Sequence, residues 1–257
     1  MKTEKIKGDG YSVRSVERAI AILQCFSSEE DLRLNQICER VNLPKSTVHR
    51  LLSSLEQEHM IEQDLETGKY FLGCEVIRLG QMARLSKAVS RIAHPELSIV
   101  ANKSGQTCNL YIKQGYGRLC IDQVEGSQYI RRHSYMGALH PLHCGASGRV
   151  LLAYSSEEFQ KDFFENAPID QITEKTIIDR DVLKELCQKI KRDGYAASLG
   201  ERDCFSGSVA VPIFSSSGQT VAAITISGHL SIFTEKNIEE FVAILKESSA
   251  RLTPKFR

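Results

Sequence analysis

With 257 residues, 42% of them apolar and 25% charged, the chain has material for one large domain or two ordinary ones, each with a core. A net charge of +1 names no polyanionic partner, and the polar opening MKTEKIKGDGY does not read as a signal peptide. No run of about 18 apolar residues marks a membrane span, and eight cysteines without a CxxC pair fit reduced thiols in a cytoplasmic protein, not a disulfide framework.

In chain order, residues 1–10 read as a flexible arm. Val13, Val16, Ala19, Ile20, Leu23 and Phe26 recur at helical spacing. A polar connector, Ser27–Arg33, leads to a short helix, Leu34–Leu43, with Ile37 and Val41 on one face. Pro44 closes that helix and opens the next, because proline disfavours helix at the preceding residue and suits a first helical turn. The next helix runs to about His59. The period then changes. Ile61 and Tyr70-Phe71-Leu72 suit two short strands around the turn DLETGK. Helix, turn, helix and a small hairpin outline a winged helix-turn-helix over residues 11–74. A helix over 75–93, carrying Val76, Leu79, Met82, Ala83 and Val89, is expected to link this domain to a second and to pack against another subunit.

The second domain, residues 94–257, opens with a helix holding Leu97 and Val100. TCNLYIKQG and RLCIDQVEG are β-rich runs about the Gly115–Gly117 turn, and QYIRRHSYMG is a third candidate strand. Helices are predicted near 145–154, 156–165, 180–192 and 234–251. SVAVPIF and TVAAITIS, joined by SSSGQ, form the clearest hairpin, with GYAAS before them. This pattern predicts an α+β domain with an antiparallel sheet.

Function is first legible in the Pro44 helix. At about 100° per residue, Val48, Leu51, Leu52 and Leu55 share one face, and Ser46, His49, Arg50, Ser53 and Gln57 the other. Lys45 and Thr47 flank the boundary at the first turn. The polar side offers hydroxyls, an amide and cations without a carboxylate, a set suited to phosphates and base edges. Recognition helices read the major groove mainly from their N-terminal turns. Lys69, in the hairpin turn with Thr67 and Gly68, offers a further backbone contact. The bland alternative is a solvated helix face. Charge does not decide, since residues 1–53 carry only a net +2.

Taken together, YSVRSVERAIAILQCF, LNQICERVNLPKSTVHRLLSSLEQEHMIEQD, GKYFLG, HPLHCGASGRVLLA, GYA and VAVPIFSSSGQTVAAITISG resemble the IclR-type bacterial transcriptional regulators, in order and spacing, from Tyr11 onward. The resemblance implies an N-terminal winged helix-turn-helix, a linker helix and a C-terminal GAF-like effector-binding domain. It implies a homodimer or homotetramer on double-stranded operator DNA, most simply a repressor. The implied effector is a small acid: a carboxylate, an aromatic acid or a sugar acid.

By position, the resemblance places the effector between the sheet and the turn Gly145-Ala146-Ser147-Gly148, whose backbone N–H groups suit an anion. Ala146, Ser147, Thr225 and Ser227 match that pocket. Ser198 stands where some members have an acid, and Ser208 where many have cysteine. Tyr129 and Arg132 replace apolar side chains common in relatives, so a more polar ligand is expected.

Other readings of the second half are weaker. Ser147 is no hydrolase nucleophile by motif, because Arg149 takes the last glycine of G-x-S-x-G. Gly115-Tyr116-Gly117 lacks the helix and Lys-Ser/Thr of a phosphate loop. His140, His143, Cys144 and Cys204 have no standard zinc spacing, so neither a metal nor another cofactor is expected. The competing functions are a small-acid enzyme with an N-terminal interaction module, for which no acid/base pair or nucleophile can be assembled, and a protein-binding adaptor.

Overall fold

The computed structural model describes residues 13–26, 31–86, 88–127 and 136–256, in two compact units, Met1–Ser86 and Lys87–Arg257. The 1–10 arm and most of QYIRRHSYMG lie outside the described residues.

In the first unit, α1 (Arg14–Gln24), α2 (Leu34–Val41) and α3 (Lys45–Gln57) precede a hairpin of β1 (Ile61–Gln63) and β2 (Tyr70–Leu72), then α4 (Cys74–Ser86). Helix α2 stops at Asn42, whose left-handed backbone (φ 52°) is one that asparagine tolerates. Pro44 is extended and forms the N-cap of α3. The core is Ile22, Leu32, Ile37, Val48, Leu52, Ile61 and Tyr70, all buried. Leu32 also pairs with Tyr70 as an extra bridge beside the hairpin. The Asp64 carboxylate closes the hairpin turn by accepting Glu66 N–H at 2.8 Å and the Thr67 hydroxyl at 2.7 Å.

The apolar stripe of α1 is partly covered, by packing of Leu23 and Phe26 against the core. Ile22 enters the core, whereas Val13, Val16 and Ile20 are exposed. Periodicity identifies a stripe but not what covers it.

The second unit begins with α5 (Ala88–Ser104), followed by β3 (Thr107–Gln114), β4 (Gly117–Val124), β5 (Leu139–Pro141), α6 (Ala146–Ala153), α7 (Glu157–Asn166), α8 (Arg180–Asp193), β6 (Ala196–Leu199), β7 (Ser206–Phe214), β8 (Thr220–His229) and α9 (Glu235–Leu252). The strands form an antiparallel sheet in the order β5-β4-β3-β8-β7-β6. Side chains alternate across it. Val209, Val211, Ile213, Ala222, Ile224 and Ile226 meet α5 and α9 on one face. Tyr111, Ala196, Ala210 and Ala223 meet α6 and α8 on the other.

The helix expected over 75–93 falls on α4 and the start of α5, with residue 87 outside the described residues. Conversely, α5 runs through Pro95 instead of starting there. Proline inside a helix costs about 3 kcal/mol. Ala93, Leu97, Val100 and Ala101, at helical spacing, are all buried in the core, and this packing carries the helix through. Among the described residues, no helix is long and apolar enough to cross a membrane.

Candidate functional site

Helix α3 is split between core and solvent. Val48 and Leu52 are buried, and Leu51 and Leu55 pack against them. Lys45, Ser46, His49, Arg50 and Gln57 are exposed, while Thr47 and Ser53 are half-buried at the boundary. Among the described residues, the side chains of Lys45, His49 and Arg50 have no hydrogen-bonding or ionic partner. No side chain caps the α3 N-terminus, so its first amides are open to an anion. Lys69 is half-buried beside the hairpin turn. Asp64 in that turn has its carboxyl held below the usual range, chiefly by the Thr67 hydroxyl. The turn therefore carries a fixed negative charge as well as Lys69.

In the second unit, one pocket gathers Ser147, Ser198, Ser208, Thr225 and Ser227 with Tyr111, Arg118 and Arg202. The strand register explains the convergence. Ser198 pairs with Ser208 and Ser208 with Ser227 across β6, β7 and β8, so three hydroxyls form a row on one face. Adjacent strands set their spacing at about 4.8 Å. Thr225 lies two residues from Ser227 on the same face and pairs with Ala210 and Asn109. Asn109 donates from Nδ2 to Ser227 Oγ at 2.8 Å. Among the described residues, the Thr225 hydroxyl and Asn109 Oδ1 are buried without a hydrogen-bond partner. Such orphaned groups are uncommon in a native interior.

Ser147 stands in the first turn of α6. The turn before it is built around Arg118, which reaches from β4 and is 3% exposed. Its Nη1 donates to the Pro141 and Cys144 carbonyls, both at 2.5 Å. A Cβ at Gly145 would stand 2.8 Å from Arg118 Nη2, and one at Gly148 2.6 Å from Nη1, so the two glycines make room for the guanidinium. Burial pushes this guanidinium down to about 10. Arg202 adds a second cation, with Nη1 2.6 Å from His140 Nε2.

Beside the pocket, Glu201 pairs with Arg149 at 2.8 Å and accepts Gly145 N–H at 3.3 Å. The first amide of the glycine turn therefore already faces an internal carboxylate. Ala146 packs into the core beneath α6 and does not line the pocket. Tyr129 and Arg132 lie outside the described residues. Tyr111, Arg118 and Arg202 escaped sequence reasoning. A charged residue opening the β-rich run RLCIDQV was the one available signal for Arg118.

His143 Nε2 lies 3.0 Å from the Asp170 carbonyl oxygen, and burial lowers the imidazole's pKa. Among the described residues, no three His, Cys, Asp or Glu side chains are grouped to hold a metal. A larger groove of about 840 Å³, lined by residues such as Val89, Ile112, Tyr154 and Thr220, contains none of the candidate residues.

The model of the IclR helix-turn-helix domain matches residues 15–65, and that of the bacterial transcriptional regulator IclR C-terminal domain matches residues 82–253. The regulator BhcR of Paracoccus denitrificans is 30% identical over 220 residues, covering 86% of this chain and 79% of its own. The transcriptional repressor IclR of Escherichia coli is 27% identical over 244 residues, covering 94% of this chain and 89% of its own. Among solved structures, the Thermotoga maritima IclR superposes with a TM-score of 0.71 at 30% identity, over 93% of this chain and 97% of that one. An IclR homolog from Microbacterium hydrocarbonoxydans, complexed with 4-hydroxybenzoate, shares the fold at 22% identity and a TM-score of 0.77, over 93% of this chain and 97% of that one.

Proposed function

The chain belongs to the IclR family of bacterial transcriptional regulators, DNA-binding proteins and not enzymes, and we propose that it represses transcription under the control of a small acid. In this reading residues 11–74 bind double-stranded operator DNA in the cytoplasm. Residues 75–93 link them to the effector domain, residues 94–257. Lys45, Ser46 and Thr47 hold phosphates, as short polar and cationic side chains at a helix start do. His49, Arg50 and Ser53 face base edges, and Lys69 meets the backbone from the hairpin. The effector lies among Ser147, Ser198, Ser208, Thr225 and Ser227. Ala146 shapes the turn, and Tyr129 and Arg132, outside the described residues, are further candidate effector contacts.

The observation that carries the DNA half is the division of α3: an apolar face in the core and an opposite face whose cations have no partner among the described residues. Its test is binding of the DNA upstream of the protein's own gene, by mobility shift against excess nonspecific DNA. Specific retardation by the wild type, weakened at least tenfold in Arg50→Ala with unchanged circular dichroism, is the expected result. Equal, salt-insensitive retardation by both proteins would remove this role from Arg50.

Assembly as a homodimer or homotetramer is part of the proposal. Two recognition helices one DNA turn apart read a palindromic site. The exposed stripe Val13, Val16 and Ile20 on α1 supports it, because an apolar helix face gains stability when a second copy covers it.

A further inference from the structure

The reading of the second-unit pocket as the effector site leaves the chemical class of the ligand open, and the side chains around the pocket narrow it. Among the described residues, two guanidiniums, Arg118 and Arg202, line it, and no carboxylate does. Arg118 is buried and its bonds are to carbonyl oxygens, with no anion among its partners. A buried charge without a counter-charge is costly, and that cost falls when an anion arrives. The lowered pKa of Arg118, caused first by burial, is the same cost seen in protonation.

The rest of the lining is hydroxyl. The hydroxyls of Ser147, Ser198, Ser208 and Thr225 have no hydrogen-bond partner among the described residues. Thr225 is 2% exposed and its hydroxyl is orphaned. Ser227 accepts from Asn109 and keeps its own proton to donate. Among the described lining residues, Tyr111 supplies the only aromatic ring. A flat aromatic acid would leave these hydroxyls desolvated and unmatched, a cost for each buried polar group left unpaired. A ligand with several hydroxyls of its own matches them.

We propose that the effector is a small polyhydroxylated carboxylate, its acid group held by Arg202 and Arg118 and its hydroxyls by Ser198, Ser208, Thr225 and Ser227. The space open among these side chains is about 30 Å³, so a ligand of this class needs the pocket to widen.

The test uses the full-length protein and three sets of probes, read by thermal shift and isothermal titration. The first set is glycerate, threonate and gluconate. The second is glycerol and glucitol, which keep hydroxyls and lack the acid. The third is benzoate and 4-hydroxybenzoate, which keep the acid and lack the hydroxyl chain. At least one member of the first set should raise the melting temperature saturably, and no member of the other two should do so at the same concentration. Arg202→Gln should weaken that binding at least tenfold. Thr225→Val, close to isosteric, should weaken it about fivefold or more. Arg202 is only half-buried, so its variant keeps the proposal testable should Arg118→Lys fail to fold.

Binding of an aromatic acid alone, with release of operator DNA, overturns the proposal and leaves the regulator reading intact. Stabilisation by no acid of either kind overturns both the proposal and the assignment of this pocket. A hydroxy acid bound equally well by the wild type, Arg202→Gln and Thr225→Val shows that it binds elsewhere, and the proposal falls.

Discussion

Arg118 holds the turn into α6 from beneath, and Gly145 and Gly148 are the residues that admit it. A methyl group at position 148 would also stand 2.5 Å from the Leu142 carbonyl oxygen. Gly148→Ala should therefore destabilise the second unit by about 1–3 kcal/mol, the usual cost of overpacking. Thermal denaturation would read this as a lowered midpoint, and a wild-type midpoint would contradict it. A second prediction concerns Glu96 on α5, which receives Nε and Nη2 of Arg251 on α9 at 3.0 and 2.8 Å. Those hydrogen bonds hold the Glu96 carboxyl below the ordinary glutamate value of about 4.3. A carboxyl depressed on folding stabilises fully above its unfolded pKa, and the gain is lost as pH falls through the folded one. Glu96→Gln should thus be less stable than wild type at neutral pH, and the gap should close on acidification below about pH 4. Parallel urea melts across that range would measure it, and a gap constant with pH would count against the ion pair. At this scale the sequence was partly legible. Ser147, Ser198, Ser208, Thr225 and Ser227 were named by position and meet in one pocket. Arg118 and Arg202 were not, because the pairing of β4 with β5 and the path of the 200–205 loop are tertiary facts.

Among the elements, α3 was the most readable, because one period of 3.6 residues sorts its core side from its polar side and the structure divides it the same way. The strands of the β7–β8 hairpin were equally plain from their alternation and the SSSGQ turn between them. Helix α1 was legible as a helix, but its spacing does not say what covers each apolar residue. Of the stripe that periodicity finds, Leu23 and Phe26 pack against the core of their unit, whereas Val13, Val16 and Ile20 are exposed. A hydrophobic pattern records that a face is covered, whether by the same chain or another. If a second copy covers it, replacing Val16 and Ile20 by aspartate should shift the protein to a lower oligomeric state in light-scattering chromatography, with its helical content kept. An unchanged mass would exclude α1 from the interface. Helix α5 was missed as one element because Pro95 reads as a boundary, and only the burial of Ala93, Leu97, Val100 and Ala101 shows why the helix passes through it.

For the whole molecule, the central claim is that a ligand in one unit sets the DNA affinity of the other. Such coupling requires the acid to bind two states of the protein with different affinity, and it is reciprocal by thermodynamic necessity. A coupling of about 1–3 kcal/mol corresponds to a change of about 5–150-fold. Filling one wall of the pocket should cut the coupling without touching α3, so Ser147→Leu and Ser227→Leu should bind DNA normally and ignore the acid. The most direct test is an anisotropy titration of fluorescent operator DNA, with and without saturating amounts of the acid that most raises the melting temperature. The prediction is a change of at least fivefold in the wild type's DNA affinity, matched by an equal change in acid affinity when operator is bound, and none in Ser227→Leu. An operator affinity that the bound acid leaves unchanged in the wild type, or shifts equally in Ser227→Leu, would contradict control through this pocket.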